Sequence, residues 1–107
     1  MATQDTKTST VAELEKNEKA VLMYNERPLV RCGKEIRYGS PDDKYIVVFR
    51  IQDQEPLGDL QISKKVIIEL KTNEGSRSQL IRQAERDGLY RAFDIGLFWL
   101  EQALENG

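Results

Sequence analysis

Residues 76–104 predict one long helix that is apolar on more than one side. At about 100° per residue, two adjoining stripes of apolar or small residues run along this segment. The first stripe contains Ile81, Ala84, Gly88, Ala92, Ile95, Gly96, Trp99 and Ala103, and the second contains Leu89, Phe93, Leu97, Leu100 and Leu104. After Gly88 the apolar arc spans about 220°, whereas one core-facing side needs about 100–140°. Such a helix is either enclosed between two layers of its own fold or shared with a partner.

Four small residues, Ala84, Gly88, Ala92 and Gly96, recur at i, i+4 spacing and would form a shallow groove on this helix. A glycine inside a helix costs about 1 kcal/mol relative to alanine, so two glycines indicate that a close approach compensates. The groove could seat the helix on a strand surface or admit a second helix. Asp87-Gly88 could instead end one helix and begin another. Because the i, i+4 register continues through this point, we expect the helix to be unbroken.

The segments before residue 72 have the patterns of short strands. They cover residues 20–24, 29–32, 36–38, 45–52 and 60–71. In the clearest of them, Tyr45, Val47, Phe49 and Ile51 share one face. The short connections predict antiparallel pairing, since parallel neighbours need a long crossover. The expected fold is α+β, with a small twisted antiparallel sheet or open barrel of four to five strands followed by a long C-terminal helix.

The N-terminal segment is polar and differs in character from the rest. We expect residues 1–18 to form a flexible tail and residues 19–107 to form a single α+β domain. Inside the tail, Thr10 and Glu13 have the spacing of a capping box. A short helix from Thr10 to about Asn17 is one alternative, and a frayed segment is the other.

Composition narrows the class of protein. Charged residues make up 32% of the 107 residues, and the net charge of −2 comes from both signs interspersed along the chain. Nucleic-acid and anionic-membrane binding usually require a strong basic excess, which is missing here. The chain has no run of eighteen apolar residues, and residues 1–18 lack the apolar core of a secretory signal. We therefore expect a cytosolic protein.

The residue types available for chemistry are few. The chain has no histidine and one cysteine, Cys32, which rules out Ser-His-Asp and Cys-His catalysis, imidazole zinc sites and an intrachain disulfide. Arg31 and Lys34 are the cationic neighbours that a reactive thiolate would need, but a small apolar filler on a strand is the favoured interpretation of Cys32. The acidic groups at residues 42–43 and 53–59 suit turns better than cation sites. We expect no enzymatic activity, no cofactor and no metal site.

One basic cluster favours a different class of function. Arg27, Arg31, Lys34 and Arg37 lie close together in sequence, with Tyr24 and Tyr38 at either end. Basic residues interleaved with aromatics are typical of grooves that bind single-stranded nucleic acid. Two glutamates interrupt the run, and neighbours on a strand point to opposite faces. Solvated strand residues are therefore the favoured interpretation, and nucleic-acid contact is the alternative.

Three segments carry a resemblance to other proteins. They are Leu22-Met23-Tyr24-Asn25-Glu26-Arg27-Pro28-Leu29-Val30-Arg31, then Tyr38-Gly39 with Asp43-Lys44-Tyr45-Ile46-Val47, and Gly88-Leu89-Tyr90-Arg91-Ala92-Phe93-Asp94-Ile95-Gly96 with Trp99-Leu100. Together they resemble a small family of uncharacterised cytosolic proteins from clostridium-type bacteria, over roughly residues 20–104. The resemblance implies no activity, cofactor or catalytic residue.

These observations lead to an expected function. The chain is predicted to be a non-enzymatic cytosolic interaction or regulatory module that forms a homodimer through its C-terminal helix. The predicted dimer interface is Gly88, Leu89, Ala92, Phe93, Gly96, Leu97, Leu100 and Leu104. Another protein is a further expected partner, whereas membranes are not. The alternative is a small β-barrel protein that binds RNA or single-stranded DNA through Arg27, Arg31, Lys34 and Arg37.

Overall fold

The computed structural model describes residues 6–52 and 65–106. The elements in chain order are α1 (Thr6–Lys16), β1 (Lys19–Tyr24), β2 (Arg27–Cys32), β3 (Glu35–Tyr38), β4 (Tyr45–Gln52), β5 (Lys65–Thr72), β6 (Leu80–Asp87) and α2 (Leu89–Asn106). A 3-10 turn, Gly75–Arg77, lies between β5 and β6. Residues 1–5 of the predicted tail, the acidic residues at 53–59 and the predicted start of the fifth strand at 60–64 lie outside the described residues.

The strands form one antiparallel sheet in the order β1-β2-β3-β4-β5-β6, so that each strand pairs with its neighbour in sequence. The sheet is open rather than closed into a barrel, and α2 follows it. The predicted α+β fold with an antiparallel sheet and a C-terminal helix is therefore confirmed. The described residues contain six strands rather than the predicted four to five. The additional strand, β6, lies in the region that was predicted to be helix.

The prediction of an unbroken helix over residues 76–104 is wrong in its first half. Residues 80–87 form β6, which pairs with β5 so that Ala84 lies opposite Ile68 and Arg82 lies opposite Leu70. Only Leu80, Ile81 and Ala84 are apolar in this stretch, so its helical periodicity is weak. The pairing supplies partners for the second side of β5, whose backbone would otherwise be an open edge of the sheet.

The chain does change structure at Asp87-Gly88, at the position weighed as a break between two helices. Gly88 has a φ of +85°, which residues with a Cβ rarely adopt. This glycine therefore separates two elements, and α2 begins at the next residue, Leu89. The break is real, but a strand precedes it instead of a helix.

The hydrophobic core lies between one face of the sheet and the two helices. Val47, Phe49 and Ile51 of β4 are buried in it, as their alternation predicts, and Tyr45 packs partly buried at its margin. The other buried core residues include Leu29, Ile36, Tyr38, Val66, Ile68 and Leu70 from the sheet, with Ala92, Phe93 and Leu100 from α2. Phe93 is the centre of an aromatic cluster, with ring centroids 5.4 Å from Tyr24, 6.2 Å from Tyr38 and 5.8 Å from Phe49.

The N-terminal helix contributes to this core. α1 begins at Thr6, earlier than the predicted Thr10, and its Val11 and Leu14 side chains are buried against the rest of the fold. The prediction of a flexible tail over residues 1–18 is therefore wrong for Thr6–Lys16, which form α1. The capping-box spacing indicated a helix here, but no local signal showed that its apolar side would find a partner.

The wide apolar arc of α2 is covered within the chain. The helix contacts β4, β5 and β6, and α1 packs beside it. Of the predicted dimer-interface residues, Leu89, Ala92, Phe93, Gly96, Leu97 and Leu100 are buried, while Gly88 and Leu104 are partly buried. Most of these residues are therefore used inside the fold of one chain, because α1 covers what the sheet leaves open, and the dimer interface on α2 stays a prediction. Within the described residues, neither helix is long and apolar enough to cross a membrane.

Candidate interaction surfaces

The four cations predicted as a nucleic-acid contact are dispersed over the fold. Arg27 faces the helix side of the sheet, where its Nε lies 2.9 Å from Asp43 Oδ2. Arg37 lies on the opposite face, and its Nε donates to Glu35 Oε2 at 2.8 Å. Lys34 lies in the turn between β2 and β3. The structure therefore does not bring these positions together into one basic surface, and the alternative of a nucleic-acid contact gains no support from their arrangement.

Arg31 has a structural role instead. Its side chain is only 7% exposed, and its guanidinium donates to the backbone carbonyls of Leu14 and Gly33. The Leu14 carbonyl belongs to the last turn of α1, where backbone acceptors have no partner within the helix. Arg31 therefore joins the end of α1 to the turn that follows β2.

Cys32 is exposed on β2, so the predicted role as an apolar filler is wrong. It lies opposite Lys19 of the neighbouring strand β1. Among the described residues, no group of three or more cysteine and acidic side chains is arranged to hold a metal ion.

The edge strand β1 exposes large apolar side chains. Val21 is 78% exposed and Met23 is 64% exposed, and both point to the side of the sheet opposite the helices. On the helix side, Ala20, Leu22 and Tyr24 are only partly buried at the margin of the core. Lys19 is the sole charged residue of the strand. The sequence held a signal for this surface, because residues 20–23 are apolar at every position whereas a half-buried strand alternates.

The register of β1 determines which of its backbone groups face outward. Asn25 and Glu26 both have positive φ, as in a two-residue type I′ hairpin, whose flanking residues Tyr24 and Arg27 form a hydrogen-bonded pair. The Gly33 N–H donates to the Glu18 carbonyl at 2.8 Å. The backbone groups of the even-numbered residues of β1 therefore form hydrogen bonds with β2. In antiparallel pairing the alternate residues direct their N–H and C=O groups the other way. Lys19, Val21 and Met23 therefore present theirs at the sheet edge.

The opposite edge of the sheet, β6, is built differently. Half of its eight residues are charged: Arg82, Glu85, Arg86 and Asp87. The pairing register shifts between Leu70 and Lys71, near the end of β5, which introduces a bulge near the start of β6. Charges and bulges are the features that protect an edge strand from pairing with another chain. β6 has both features, whereas β1 has neither a bulge nor a charge between Ala20 and Tyr24.

The sheet face opposite the helices carries a cross-strand ion network. Glu35 accepts from Arg37 and from Arg50, whose Nε also donates to Glu69 at 2.9 Å. The Lys71 ammonium lies 3.3 Å from the same Glu69 carboxylate. The hydrogen bond from Arg37 lowers the pKa of Glu35 below its ordinary value, and the hydrogen bond to Glu69 raises the pKa of Arg50. Both shifts favour the charged forms of Glu35 and Arg50, so the network stabilises the charges of these two groups.

The solvent side of α2 exposes two aromatic residues, Tyr90 and Phe98. Phe98 borders an open groove of about 510 Å³ that is also lined by Arg27, Leu104 and the acidic residues Glu101 and Glu105. The groove mixes both charges with apolar surface and holds no converging set of catalytic groups among the described residues. No family model, curated protein or solved structure matches this chain.

Proposed function

We propose that this protein is a non-enzymatic, cytosolic interaction module that forms a homodimer by antiparallel pairing of β1 with β1 of a second copy. The observation that carries the proposal is the contrast between the two sheet edges. β6 is protected by charges and a bulge, whereas β1 presents an apolar, nearly uncharged edge with its N–H and C=O groups directed outward. Such an edge is a template for adding a strand.

A second copy suits this edge because a two-fold interface brings the same residues together from both chains. With the axis at Leu22, Val21 of one chain lies opposite Met23 of the other, and Ala20 lies opposite Tyr24. These pairs contain no charge, so the strand does not repel its own copy. With the axis at Val21 instead, Lys19 would lie opposite the apolar Met23, which favours the Leu22 register.

The pairing also agrees with the backbone geometry. Val21 and Met23 are two of the residues whose N–H and C=O groups face outward, so they would form hydrogen-bonded pairs across the two-fold axis. The same contact would cover Val21 and Met23, two of the most exposed large apolar side chains of the described residues. The expected interaction with a second copy is thus kept, while its location moves from α2 to β1.

Light scattering during size-exclusion chromatography tests the proposal at about 100 μM, well above ordinary dimer dissociation constants. The unmodified chain should have twice the 12.3 kDa mass of one chain. Val21→Lys should give a folded monomer, because a lysine on an edge strand opposes pairing. Ile81→Lys is the matched control, since Ile81 is an apolar residue of the other edge and is 52% exposed. That variant should remain a dimer.

The proposal fails if the unmodified chain is a monomer under these conditions. It also fails if Ile81→Lys separates the subunits and Val21→Lys does not, because the contact would then lie at β6. Circular dichroism and thermal unfolding of each variant establish that a change in mass reflects lost association rather than lost folding.

A further inference from the structure

A small pit lies on the sheet face opposite the helices, beside the connection between β5 and β6. Its volume is about 290 Å³, near the lower end of the range for ligand pockets. Ile46 and Val48 of β4 line it as apolar residues, Arg37 and Lys71 as cations, and Ser76 and Ser78 as hydroxyl-bearing residues. The pit is separate from the β1 edge, so binding there would not depend on the proposed dimer.

The apolar part of the pit is formed by residues on the outer face of the sheet. Val48 lies next to Arg37 on β3, and Ile46 lies next to Lys71 on β5. Although it belongs to the face opposite the helices, Val48 is only 2% exposed. Neighbouring side chains and the β5–β6 connection therefore already shield it from water, and an apolar group could contact Ile46 beside it.

The connection that borders the pit is fixed by Asn73. The Asn73 amide nitrogen donates to the carbonyls of Ser40, Pro41 and Asp43 at 3.2, 3.2 and 2.8 Å. Its backbone N–H donates to the Lys44 carbonyl at 2.8 Å. Five residues further on, the Ser78 hydroxyl accepts from the Glu74 N–H at 3.0 Å. The position of the hydroxyl-bearing turn relative to β4 is thus set before any ligand binds, which reduces the entropy cost of binding.

The charge next to the pit is positive. Three cations of the ion network, Arg37, Arg50 and Lys71, share two carboxylates, those of Glu35 and Glu69, so one positive charge remains uncompensated within this group. The two cations that line the pit are Arg37 and Lys71, and none of the lining residues is acidic.

We propose that this pit binds a small phosphate monoester that carries an apolar group. A guanidinium, an ammonium and hydroxyls are the donors that phosphate oxygens accept from most strongly. The apolar group of the ester lies over Ile46, beside the shielded Val48, while the phosphate lies between the cations and the serine-bearing turn. The size of the pit limits the apolar group to about one ring.

Phenyl phosphate is the probe, and its binding is followed by NMR titration of the full chain. The expected result is saturable shifts at the methyl groups of Ile46 and Val48 and at the amides of Ser76 and Ser78. Lys71→Met should weaken the binding about tenfold through loss of a charged donor. Lys65→Met should leave it unchanged, because Lys65 pairs with Glu85 and Asp87 elsewhere on the sheet.

Two further ligands separate the contributions. Inorganic phosphate tests the charged part alone and should bind more weakly than phenyl phosphate, and benzyl alcohol tests the apolar part alone and should bind more weakly still. If Lys71→Met is unfolded, Arg37→Met replaces it, since Arg37 is an exposed residue of the same pit. The proposal is overturned if shifts are absent or lie elsewhere, if neither cation matters, or if either control ligand binds as tightly as phenyl phosphate.

Discussion

Gly96 of α2 lies directly against the phenyl ring of Phe49 on β4. A Cβ built at position 96 would lie 2.6 Å from Phe49 Cε1 and 3.2 Å from Val47 Cγ2, and real Cβ atoms do not approach so closely. The missing side chain therefore lets the helix rest on the sheet at this point. Of the two roles considered for the small-residue groove, the structure shows at Gly96 the one in which the helix is seated on a strand surface.

Gly96→Ala should destabilise the protein by about 1–2 kcal/mol. Overpacking against Phe49 costs about 1–3 kcal/mol, and the better helix propensity of alanine offsets up to about 1 kcal/mol of it. Urea unfolding of the variant measures the change in the free energy of unfolding. Phe49→Leu with Gly96→Ala tests the cause, because the smaller side chain makes room for the methyl group. The two effects should then be less than additive, and strict additivity would contradict the contact.

Arg31→Met should destabilise the protein by about 1–3 kcal/mol. The substitution leaves the carbonyls of Leu14 and Gly33 without their guanidinium donor while it preserves much of the buried volume. Arg37→Met is the control, since that side chain is largely exposed and its ion pair with Glu35 should contribute at most about 1 kcal/mol. Thermal unfolding compares the two variants. Equal effects would mean that Arg31 does not hold the end of α1 in place.

Glu35 should make the stability depend on acid pH. The hydrogen bond from Arg37 and the charges of Arg37 and Arg50 lower the pKa of Glu35 in the folded state. A carboxyl with a lowered pKa stabilises the fold above its unfolded-state pKa of about 4.3, and this contribution is lost as the pH falls through the folded-state value. The free energy of unfolding should therefore fall from about pH 5 to pH 3, and Glu35→Gln should reduce that fall.

The control for this pH dependence is Glu101→Gln, on the exposed side of α2. This variant should follow the unmodified chain across the same pH range. Because Glu35 is about one third exposed, solvent screening keeps its effect small. A Glu35→Gln variant that loses as much stability as the unmodified chain between pH 5 and pH 3 would contradict the assignment.

The parts of the fold that the sequence predicts well are those with a strong local pattern. Alternation in β4 placed Val47, Phe49 and Ile51 on the core side, and the apolar spacing after Leu89 indicated α2. β6 was not predictable in the same way. Its three apolar residues fit a helix as well as a strand, and what decides between them is pairing with β5, which lies several residues earlier in the chain.

The element that buries the apolar arc of α2 could not be predicted from local sequence patterns either. The width of its apolar arc indicated correctly that the sheet alone could not bury it. The remaining partner is α1 of the same chain, whose Val11 and Leu14 belong to a short segment of low hydrophobicity. Similarly, Arg27, Arg31 and Arg37 are close in sequence, but strand pleating and the bond from Arg31 to α1 separate them in space.

The pairing of β1 with its own copy is tested most directly by disulfide trapping at Leu22, in a chain that also carries Cys32→Ser. In the proposed register, the two Leu22 residues form a non-hydrogen-bonded pair with Cα atoms about 4.5 Å apart, within reach of a disulfide. Leu22→Cys should give a covalent dimer on mild oxidation, whereas Ile81→Cys in the same background should stay a single chain. Absence of the covalent dimer from Leu22→Cys, or equal trapping at position 81, would contradict the account.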